Sequence, residues 1–225
     1  MRNSRALKGT AKTLGFAIVT CVALFSASGT FNWPAGWAYI VLHLAGTTAS
    51  VLFIDADLLA ERSEIGEGVP ILDIVLAIIM ARLGPIAIVL AAGLEHRFCL
   101  ETQIPFCLQI LGIGLVLAGY AVALWALTTN RFFSGVVRIQ ADRGHAVVTH
   151  GPYALVRHPG YAGTILATIG APLMLGSVWA LVPAVMTSAI VIVRTSLEDR
   201  TLRRDLQGYE AYCRTVHFRL LPGLW

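Results

Sequence analysis

Long apolar runs separated by short polar segments dominate the chain. A helix needs about 20 mostly apolar residues to cross the hydrocarbon core of a bilayer. On that criterion the pattern predicts four hydrophobic helices, over approximately residues 14–29, 36–54, 71–94 and 104–127. The third run is interrupted by Arg82 and by Gly84-Pro85, so we expect a kink there.

A fifth apolar region covers residues 161–193. It is too long for one crossing of the bilayer and short for two complete ones. Gly170-Ala171-Pro172 and Gly176-Ser177 interrupt it. We therefore predict a helical hairpin that enters the membrane and returns.

The first apolar run has two interpretations. Four basic residues, Arg2, Arg5, Lys8 and Lys12, precede it, as in a signal peptide. However, an aromatic segment over 31–37 leads directly into the next apolar run, whereas a signal peptide is followed by soluble sequence. This arrangement favours a helix that is retained in the protein.

Composition supports a membrane location. Of the 225 residues, 56% are hydrophobic and 13% are charged, and the mean hydropathy is +0.72. A soluble domain of this size has too little interior to bury so much apolar surface. We predict an all-α integral membrane protein with five to six hydrophobic helices. Residues 1–128 hold the N-terminal transmembrane helices, and 129–225 hold the hairpin, a polar cap and a polar C-terminal segment.

The basic residues predict the orientation. With the N-terminus inside, 15 of the 17 lysines and arginines lie on the cytoplasmic side, as the positive-inside rule requires. The net charge of +4 then reports topology, and we expect no nucleic-acid partner. Compact length and short loops favour a prokaryotic inner membrane. The four cysteines and six histidines show no metal-ligand spacing, so no metal site is expected.

A polar segment over residues 142–163 holds the densest group of chemically useful side chains. Gly151-Pro152 and His158-Pro159-Gly160 are turn signals that open onto an apolar helix. Tyr153, His158 and Tyr161 are suited to stacking on, and hydrogen bonding with, an adenine-like ring. A juxtamembrane loop whose Arg and Tyr side chains only anchor the interface explains the same pattern equally well.

A second cluster follows the hairpin over residues 194–200. Arg194 and Glu198 are four residues apart and so share a helical face. An ordinary surface ion pair is the alternative, but a charge at the membrane boundary usually has a role.

Together these residues resemble the isoprenylcysteine carboxyl methyltransferase family, within the phospholipid methyltransferase superfamily. The resemblance covers about residues 130–225. Its motifs are Gly151-x-Tyr153, Arg157-His158-Pro159-x-Tyr161-x-Gly163, Arg194-Thr195-x-x-Glu198, Gly208-Tyr209-x-x-Tyr212 and Leu221-Pro222. Leu58-Leu59-Ala60-Glu61-Arg62 matches more loosely.

The resemblance implies a membrane methyltransferase that uses S-adenosylmethionine. It assigns catalytic roles to Arg194, which would orient an acceptor carboxylate, and Glu198, which would contact the charged part of the cofactor. The residues implied to bind the cofactor are His145, Ala146, Val147, Val148, Tyr153, Arg157, His158, Pro159, Gly160, Tyr161 and Glu198. A further contact falls on Arg138 or Gln140.

The resemblance favours a hydrophobic or isoprenylcysteine-like acceptor, either a small lipophilic molecule or a lipid-modified one, which enters from the surrounding lipids. No obligate protein partner is implied. A carboxylate is already ionised at neutral pH, so methyl transfer to it needs no general base. Methylation of a phospholipid amine or a small thiol, an NADPH-dependent sterol-type reductase and a non-enzymatic membrane scaffold are the alternatives.

Overall fold

A computed structural model describes residues 2–55, 58, 61–62, 69–98, 104–140 and 143–225. Nearly all regular structure in these residues is helical, and they contain no β-strand. The main helices are α1 (Arg2–Ser28), α2 (Pro34–Phe53), α3 (Ile71–Ile78), α4 (Gly84–Arg97), α5 (Phe106–Thr129), α6 (Pro159–Leu175), α7 (Leu181–Asp205) and α8 (Tyr209–Thr215). A π-helical turn, Ile79–Leu83, joins α3 to α4, and a short 3₁₀ helix spans Gly151–Ala154.

Five helical stretches are long and apolar enough to cross a membrane: Leu7–Ser28, Pro34–Phe53, Ile71–Arg97, Phe106–Thr129 and Leu181–Asp205. Large apolar side chains such as Val22, Leu111 and Val185 point outward from these helices. Outward apolar surface on this scale is stable only against lipid. The prediction of an all-α integral membrane protein is confirmed.

The third hydrophobic run departs from α-helical geometry where a kink was expected. Pro85 lies in the first turn of α4 and has no N–H to donate to the preceding turn. The π-helical turn Ile79–Leu83 ends directly before Gly84-Pro85. This turn carries Arg82, the basic residue within the run.

The hairpin consists of α6 and α7, joined by a turn at residues 176–180. Gly176 ends α6 in the left-handed conformation, with φ of +73°. Trp179 N–H (2.9 Å) and the Ser177 hydroxyl both donate to the Glu95 carboxylate, which ties the turn to α4. With 17 residues α6 is shorter than the five long stretches, whereas α7 stays helical to Asp205, beyond the predicted end at 193.

One expected break was wrong. Gly170-Ala171-Pro172 lies inside α6, which continues to Leu175. Gly170 is retained because of its packing: a Cβ there would stand 2.8 Å from the backbone oxygen of Gly112 in α5. The chain reverses only at Gly176.

Glycines hold α5 and α6 in close contact along their length. A Cβ on Gly119 would stand 2.6 Å from both the Gly163 oxygen and the Ala167 nitrogen. Gly163 is the last glycine of the Arg157–Gly163 motif. A Cβ on Gly163 would in turn stand 2.6 Å from the Gly119 oxygen. Helix pairs in membranes commonly pack through such small residues. The close pairing fixes the start of α6, where the polar loop arrives.

Candidate functional site

A carboxylate that no solvent reaches organises the polar end of the hairpin. Asp199 of α7 is 0% exposed. Its Oδ1 accepts from Arg157 Nε at 2.8 Å and from the Tyr209 hydroxyl at 3.1 Å, and it lies 3.4 Å from His158 Nε2. Its Oδ2 lies 3.0 Å from Arg219 Nε and 3.1 Å from Arg203 Nε. One carboxylate therefore gathers side chains from four segments: the 150–158 loop, α7, α8 and the C-terminal tail.

The C-terminal tail is also bound through its backbone. Arg157 N–H donates to the Phe218 oxygen and His158 N–H to the Arg219 oxygen, both at 2.9 Å. The Arg157 guanidinium donates further to the carbonyls of Val216 (2.9 Å) and His217 (2.8 Å). The tail thus fixes the two residues that precede α6.

Beside this core lies a cavity of about 710 Å³ including its open mouth, which we name the cofactor cavity after the residues expected from the sequence to bind a cofactor. Among the described residues, aromatic rings, the segments 132–138 and 145–148 and the carboxylate of Glu198 form its walls. The lining residues are Asn130, Phe132, Phe133, Ser134, Val136, Val137, Arg138, His145, Ala146, Val147, Val148, Tyr153, Arg157, His158, Tyr161, Glu198, Leu202, Leu206, Tyr209 and Tyr212.

His145 lies in the wall of the cofactor cavity as a neutral imidazole. Its ring stacks on Phe132 with centroids 4.7 Å apart, and its Nδ1 is 3.3 Å from the Gln140 N–H. Because a backbone N–H can only donate, Nδ1 must be the unprotonated nitrogen. Burial lowers the pKa of the imidazole; Glu198 raises it in part, and Arg143 lowers it.

Two further lining residues of the cofactor cavity are the tyrosines Tyr153 and Tyr212. The Tyr212 hydroxyl of α8 donates to the Tyr153 backbone oxygen at 2.6 Å, and the Tyr153 hydroxyl donates to the Ala126 oxygen of α5 at 3.3 Å. Burial raises the pKa of both hydroxyls well above the ordinary value of tyrosine. Both side chains therefore act as neutral donors that pin the 3₁₀ helix to α5 and α8.

Glu198 faces the cofactor cavity from α7 and is fixed by Tyr161 of α6. The Tyr161 hydroxyl donates to Glu198 Oε2 at 2.5 Å, and His158 Nδ1 lies 3.9 Å from Oε1. The Glu198 side chain remains 25% exposed, so it can meet a ligand. Gly160, one residue before Tyr161, makes room for the Phe133 ring, since a Cβ on Gly160 would stand 2.5 Å from that ring.

A second space, which we name the side cavity, lies among α1, α2, α3 and the π-helical turn and encloses about 1490 Å³ with its opening. Four residues line both cavities and so form a shared wall: Phe133, Ser134, Val136 and Tyr161. The two spaces are therefore adjacent compartments, one at the polar end of the hairpin and one between hydrophobic helices.

Arg194 lines the side cavity and not the cofactor cavity. It is 1% exposed, and its Nε lies 3.0 Å from Asp73 Oδ1 in α3. Nη2 donates to the Gly135 oxygen at 2.8 Å, and Nη1 lies 3.9 Å from the Met80 sulfur. Asp73 also accepts from the Val137 N–H at 2.7 Å. An ion pair between α3 and α7 thus supports the shared wall.

The structure brings most of the expected cofactor contacts into one cavity. Nine of them line it: His145, Ala146, Val147, Val148, Tyr153, Arg157, His158, Tyr161 and Glu198. Pro159 and Gly160 are buried in the first turn of α6, behind the wall. Of the two candidates for a further contact, Arg138 lines the cavity and pairs with Glu61 at 2.5 Å, whereas the Gln140 amide is buried and donates to the Phe132 oxygen at 2.8 Å.

The sequence did not predict the role of Asp199, although this residue lies beside Glu198 within the cluster over residues 194–200. Two carboxylates next to each other on a helix face different directions, about 100° apart. Only one of this pair reaches the cavity, and the other points into the cluster of arginines. The excess of arginine around residues 194–219 was the available signal for a buried anion. In the looser N-terminal motif, Leu58 is buried and Glu61 pairs with Arg138, while Leu59 and Ala60 lie outside the described residues.

Most of the segment that builds this site is similar to a known protein family. Residues 107–207 match the family model described as phospholipid methyltransferase. This segment is therefore similar to the phospholipid methyltransferase family. It includes α5, the loop that lines the cofactor cavity, α6 and nearly all of α7. Glu198 and Asp199 both lie within the matched segment, 107–207. Helix α8, which carries Tyr209 and Tyr212, follows that segment.

Curated relatives narrow the likeness within the phospholipid methyltransferase family. A protein of Oryza sativa named probable protein-S-isoprenylcysteine O-methyltransferase is 32% identical over 115 residues, 47% of this chain and 57% of that protein. Protein-S-isoprenylcysteine O-methyltransferases A and B of Arabidopsis thaliana are 31% identical over 88 residues and 28% identical over 131 residues. These cover 39% and 57% of this chain, and 41% and 63% of the two relatives. The chain spans about half the length of the curated relatives it matches.

Proposed function

We propose that the protein is an S-adenosylmethionine-dependent membrane methyltransferase that esterifies the carboxylate of an isoprenylcysteine-like acceptor. The observation that carries this proposal is the wall shared by the two cavities, with Tyr161 facing both. A polar cofactor at the end of the hairpin and an apolar acceptor between the helices would meet across it. The names of the relatives support a carboxylate as the acceptor group.

The lining of the cofactor cavity fits a positively charged sulfonium. When bound, S-adenosylmethionine supplies a methyl group carried on a cationic sulfur. Glu198 offers the carboxylate among the described lining residues, and the rings of Phe133, Tyr153 and Tyr161 offer aromatic faces. Carboxylates and aromatic faces both stabilise a cation in a partly desolvated site. Burial lowers the pKa of His145 beside them, which favours its neutral form and so reduces repulsion of a cation.

Arg194 is positioned to orient the acceptor. Asp73 and the Gly135 carbonyl hold the plane of its guanidinium, and Nη1 faces the Met80 sulfur in the wall of the side cavity. A carboxylate that displaces this weak sulfur contact would gain a charge-assisted hydrogen bond. One oxygen would then be held by Nη1 while the other attacks the methyl carbon across the shared wall.

The transfer requires alignment and no proton movement. A carboxylate oxygen oriented by Arg194 would form the new bond to the methyl carbon as the carbon–sulfur bond breaks, and the electron pair of that bond would stay on the sulfur. The acceptor would become a neutral ester, and the positive charge on the sulfur would be lost in the same step. The chain's residues contribute by holding two reactants in line and excluding water, which is a large share of catalysis in reactions of this type. With the N-terminus inside, the cofactor cavity would open to the cytoplasm of a prokaryotic cell.

Binding and transfer of the labelled methyl group test the proposal. Purified full-length protein in detergent is titrated with S-adenosylmethionine, and turnover is then measured with a prenylcysteine analogue, a phospholipid amine and a small thiol. We expect saturable binding and labelling of the prenylcysteine analogue. Labelling of the amine or the thiol alone would reassign the acceptor, and binding of NADPH without binding of the methyl donor would overturn the proposal.

Single substitutions distinguish the role of the cofactor cavity from that of the side cavity. Glu198→Gln should weaken binding of S-adenosylmethionine, while Glu210→Gln, an exposed carboxylate on α8 outside the cavity lining, should leave it unchanged. Arg194→Gln should keep cofactor binding and lose turnover. Normal turnover in Arg194→Gln would remove the role assigned to its Nη1.

A further inference from the structure

The wall between the two cavities includes the segment 133–137, whose backbone is held by charged side chains. Arg62 and Arg194 donate to two of its carbonyls, at 3.3 and 2.8 Å. Asp73 of α3 accepts from one of its N–H groups at 2.7 Å. Ser134 lies between these attachment points and lines both cavities. Parts of the chain that are far apart in sequence therefore fix the position of Ser134.

Several hydroxyl groups line the two cavities, and most of them already donate their proton within the protein. A hydroxyl has one proton to donate and can accept further hydrogen bonds. The described lining hydroxyls that donate to a carbonyl or carboxylate of the chain are those of Thr13, Ser50, Tyr153, Tyr161, Tyr209 and Tyr212. Among the lining residues that the structure describes, the hydroxyl without such an acceptor is that of Ser134.

Within the described chain, Ser134 uses its oxygen and not its proton. Its Oγ accepts from the Val136 N–H at 3.4 Å, a local contact that serine often makes with the backbone two residues on. The residue is half-buried in the shared wall. A hydrogen bond gains strength where water is partly excluded. The Ser134 proton is therefore available to a ligand that reaches this wall.

The residue after Ser134 indicates which ligand its hydroxyl meets. The Gly135 carbonyl accepts from Arg194 Nη2, and Nη1 of the same guanidinium is the group assigned above to the acceptor carboxylate. The hydroxyl thus lies one residue from the carbonyl that holds this guanidinium. The other hydroxyl in the shared wall, that of Tyr161, is engaged with Glu198. A carboxylate at Nη1 would find its second donor in Ser134, and two donors fix its orientation better than one.

We propose that Ser134 is a catalytic residue whose hydroxyl donates to the acceptor carboxylate, on the oxygen that does not attack the methyl carbon. This inference rests on the proposed function for the identity of the acceptor. The hydroxyl keeps its proton throughout. A charged carboxylate accepts a stronger hydrogen bond than the neutral ester that replaces it. Ser134 therefore favours binding of the acid over binding of the ester, and this difference helps the product to leave.

Binding of an acid and of its methyl ester, measured without S-adenosylmethionine, tests this role. Full-length protein in detergent is titrated with N-acetyl-S-farnesylcysteine and with its methyl ester. Ser134→Ala should weaken binding of the acid about tenfold and binding of the ester at most about threefold, because a hydrogen bond to a charged group is the stronger one. Ser134→Thr keeps a hydroxyl and should bind the acid within about threefold of wild type.

Ser196→Ala is the matched control. Ser196 is exposed on α7, donates to the Ile192 oxygen at 3.2 Å and is absent from the linings of both cavities. Its loss should leave the affinities for acid and ester equal to those of wild type. Three results would overturn the role of Ser134: unchanged binding of the acid in Ser134→Ala, an equal loss for acid and ester, or an equal loss of affinity for S-adenosylmethionine.

Methyl transfer to the same acid separates this inference from the proposed function. Wild type supplied with labelled S-adenosylmethionine should methylate the acid, and Ser134→Ala should show a KM for the acid raised about tenfold. No transfer by wild type, together with selective loss of acid binding in Ser134→Ala, would overturn the proposed function and still support the carboxylate contact. Failure of wild type to bind the acid would overturn both.

Discussion

The Arg157 guanidinium and the Asp199 carboxylate form a buried ion pair, with Nε and Oδ1 2.8 Å apart and side-chain exposures of 3% and 0%. A buried charge is tolerated only when partners replace the water it has lost. Arg157 meets that condition through Asp199 and two tail carbonyls, and Asp199 through three arginines and a tyrosine. The pair is therefore the structural centre of the polar cap.

Removing the charge of Asp199 should destabilise the protein strongly. Asp199→Asn leaves Arg157 buried beside a neutral amide, and breaking such a pair typically costs about 3–5 kcal/mol. Thermal unfolding in detergent, followed by tryptophan fluorescence, measures the loss. Asp205→Asn is the matched control, because Asp205 pairs with Arg204 at the exposed end of the same helix. An equal loss in both variants would contradict the central role of Asp199.

The hydrogen bond from Tyr161 should set the affinity for a cationic ligand. Tyr161→Phe removes the hydroxyl that fixes Glu198 but keeps the ring in the shared wall. We expect binding of S-adenosylmethionine to weaken several-fold, and binding of its neutral product S-adenosylhomocysteine to change less, because only the former needs the carboxylate. Calorimetric titration measures the affinities for both ligands in wild type and in Tyr161→Phe. The ratio of the two losses in affinity is the quantity to compare.

Tyr120→Phe serves as the control for that ratio. Tyr120 lies within α5, and its hydroxyl is 3.2 Å from His43 Nδ1 in α2, outside the lining of the cofactor cavity. Its loss should leave both affinities equal to wild type. A parallel weakening for the two ligands in Tyr161→Phe would mean that the hydroxyl shapes the cavity without acting through charge.

Acid should destabilise the protein through His145. The folded state holds the pKa of this imidazole below its unfolded value of about 6.5, so the unfolded chain binds the proton first. The stabilisation by neutral His145 is complete above pH of about 6.5 and is lost as the pH falls through the lower, folded-state pKa. Unfolding temperatures measured across this range should fall more steeply in wild type than in His145→Asn.

Two glycines of α5 should respond oppositely to alanine. Gly119→Ala would place a Cβ 2.6 Å from backbone atoms of α6, which cannot move without opening the helix pair. Overpacking of this kind typically costs about 1–3 kcal/mol. Gly114 has nothing within 4 Å of a Cβ, so Gly114→Ala should be neutral or stabilising. Thermal unfolding of the two variants distinguishes packing from a general intolerance of α5 to substitution.

The hydrophobic helices and the meeting of the two polar clusters were predictable. Apolar runs of sufficient length leave few alternatives to a helix, and the positive-inside rule placed the 142–163 loop and Arg194 at the same end. Tyr161 and Glu198, at opposite ends of the predicted hairpin, are therefore neighbours in the structure. The local sequence pattern was enough to predict this proximity, because a helical hairpin brings its two ends together.

Partners across long sequence separations were not predictable. Asp73 reads in the sequence as a single acid at the start of a helix, and only tertiary packing brings it to Arg194. Pro172 was expected to break α6 because proline lacks an N–H, yet the helix continues to Leu175. In both cases the outcome depends on contacts with other helices. The hydrophobic periodicity of a single segment carries no information about those contacts.

The binding of Asp199 to Arg157 also sets an order of events during synthesis. The four hydrophobic helices formed by α1, α2, α3–α4 and α5 precede residue 130, so the ribosome has made them before any residue of the polar loop exists. Arg157 then leaves the ribosome 42 residues ahead of Asp199. During that interval it has neither the carboxylate nor the tail carbonyls as partners. The nascent chain must therefore keep this arginine hydrated at the membrane surface until α7 has been inserted.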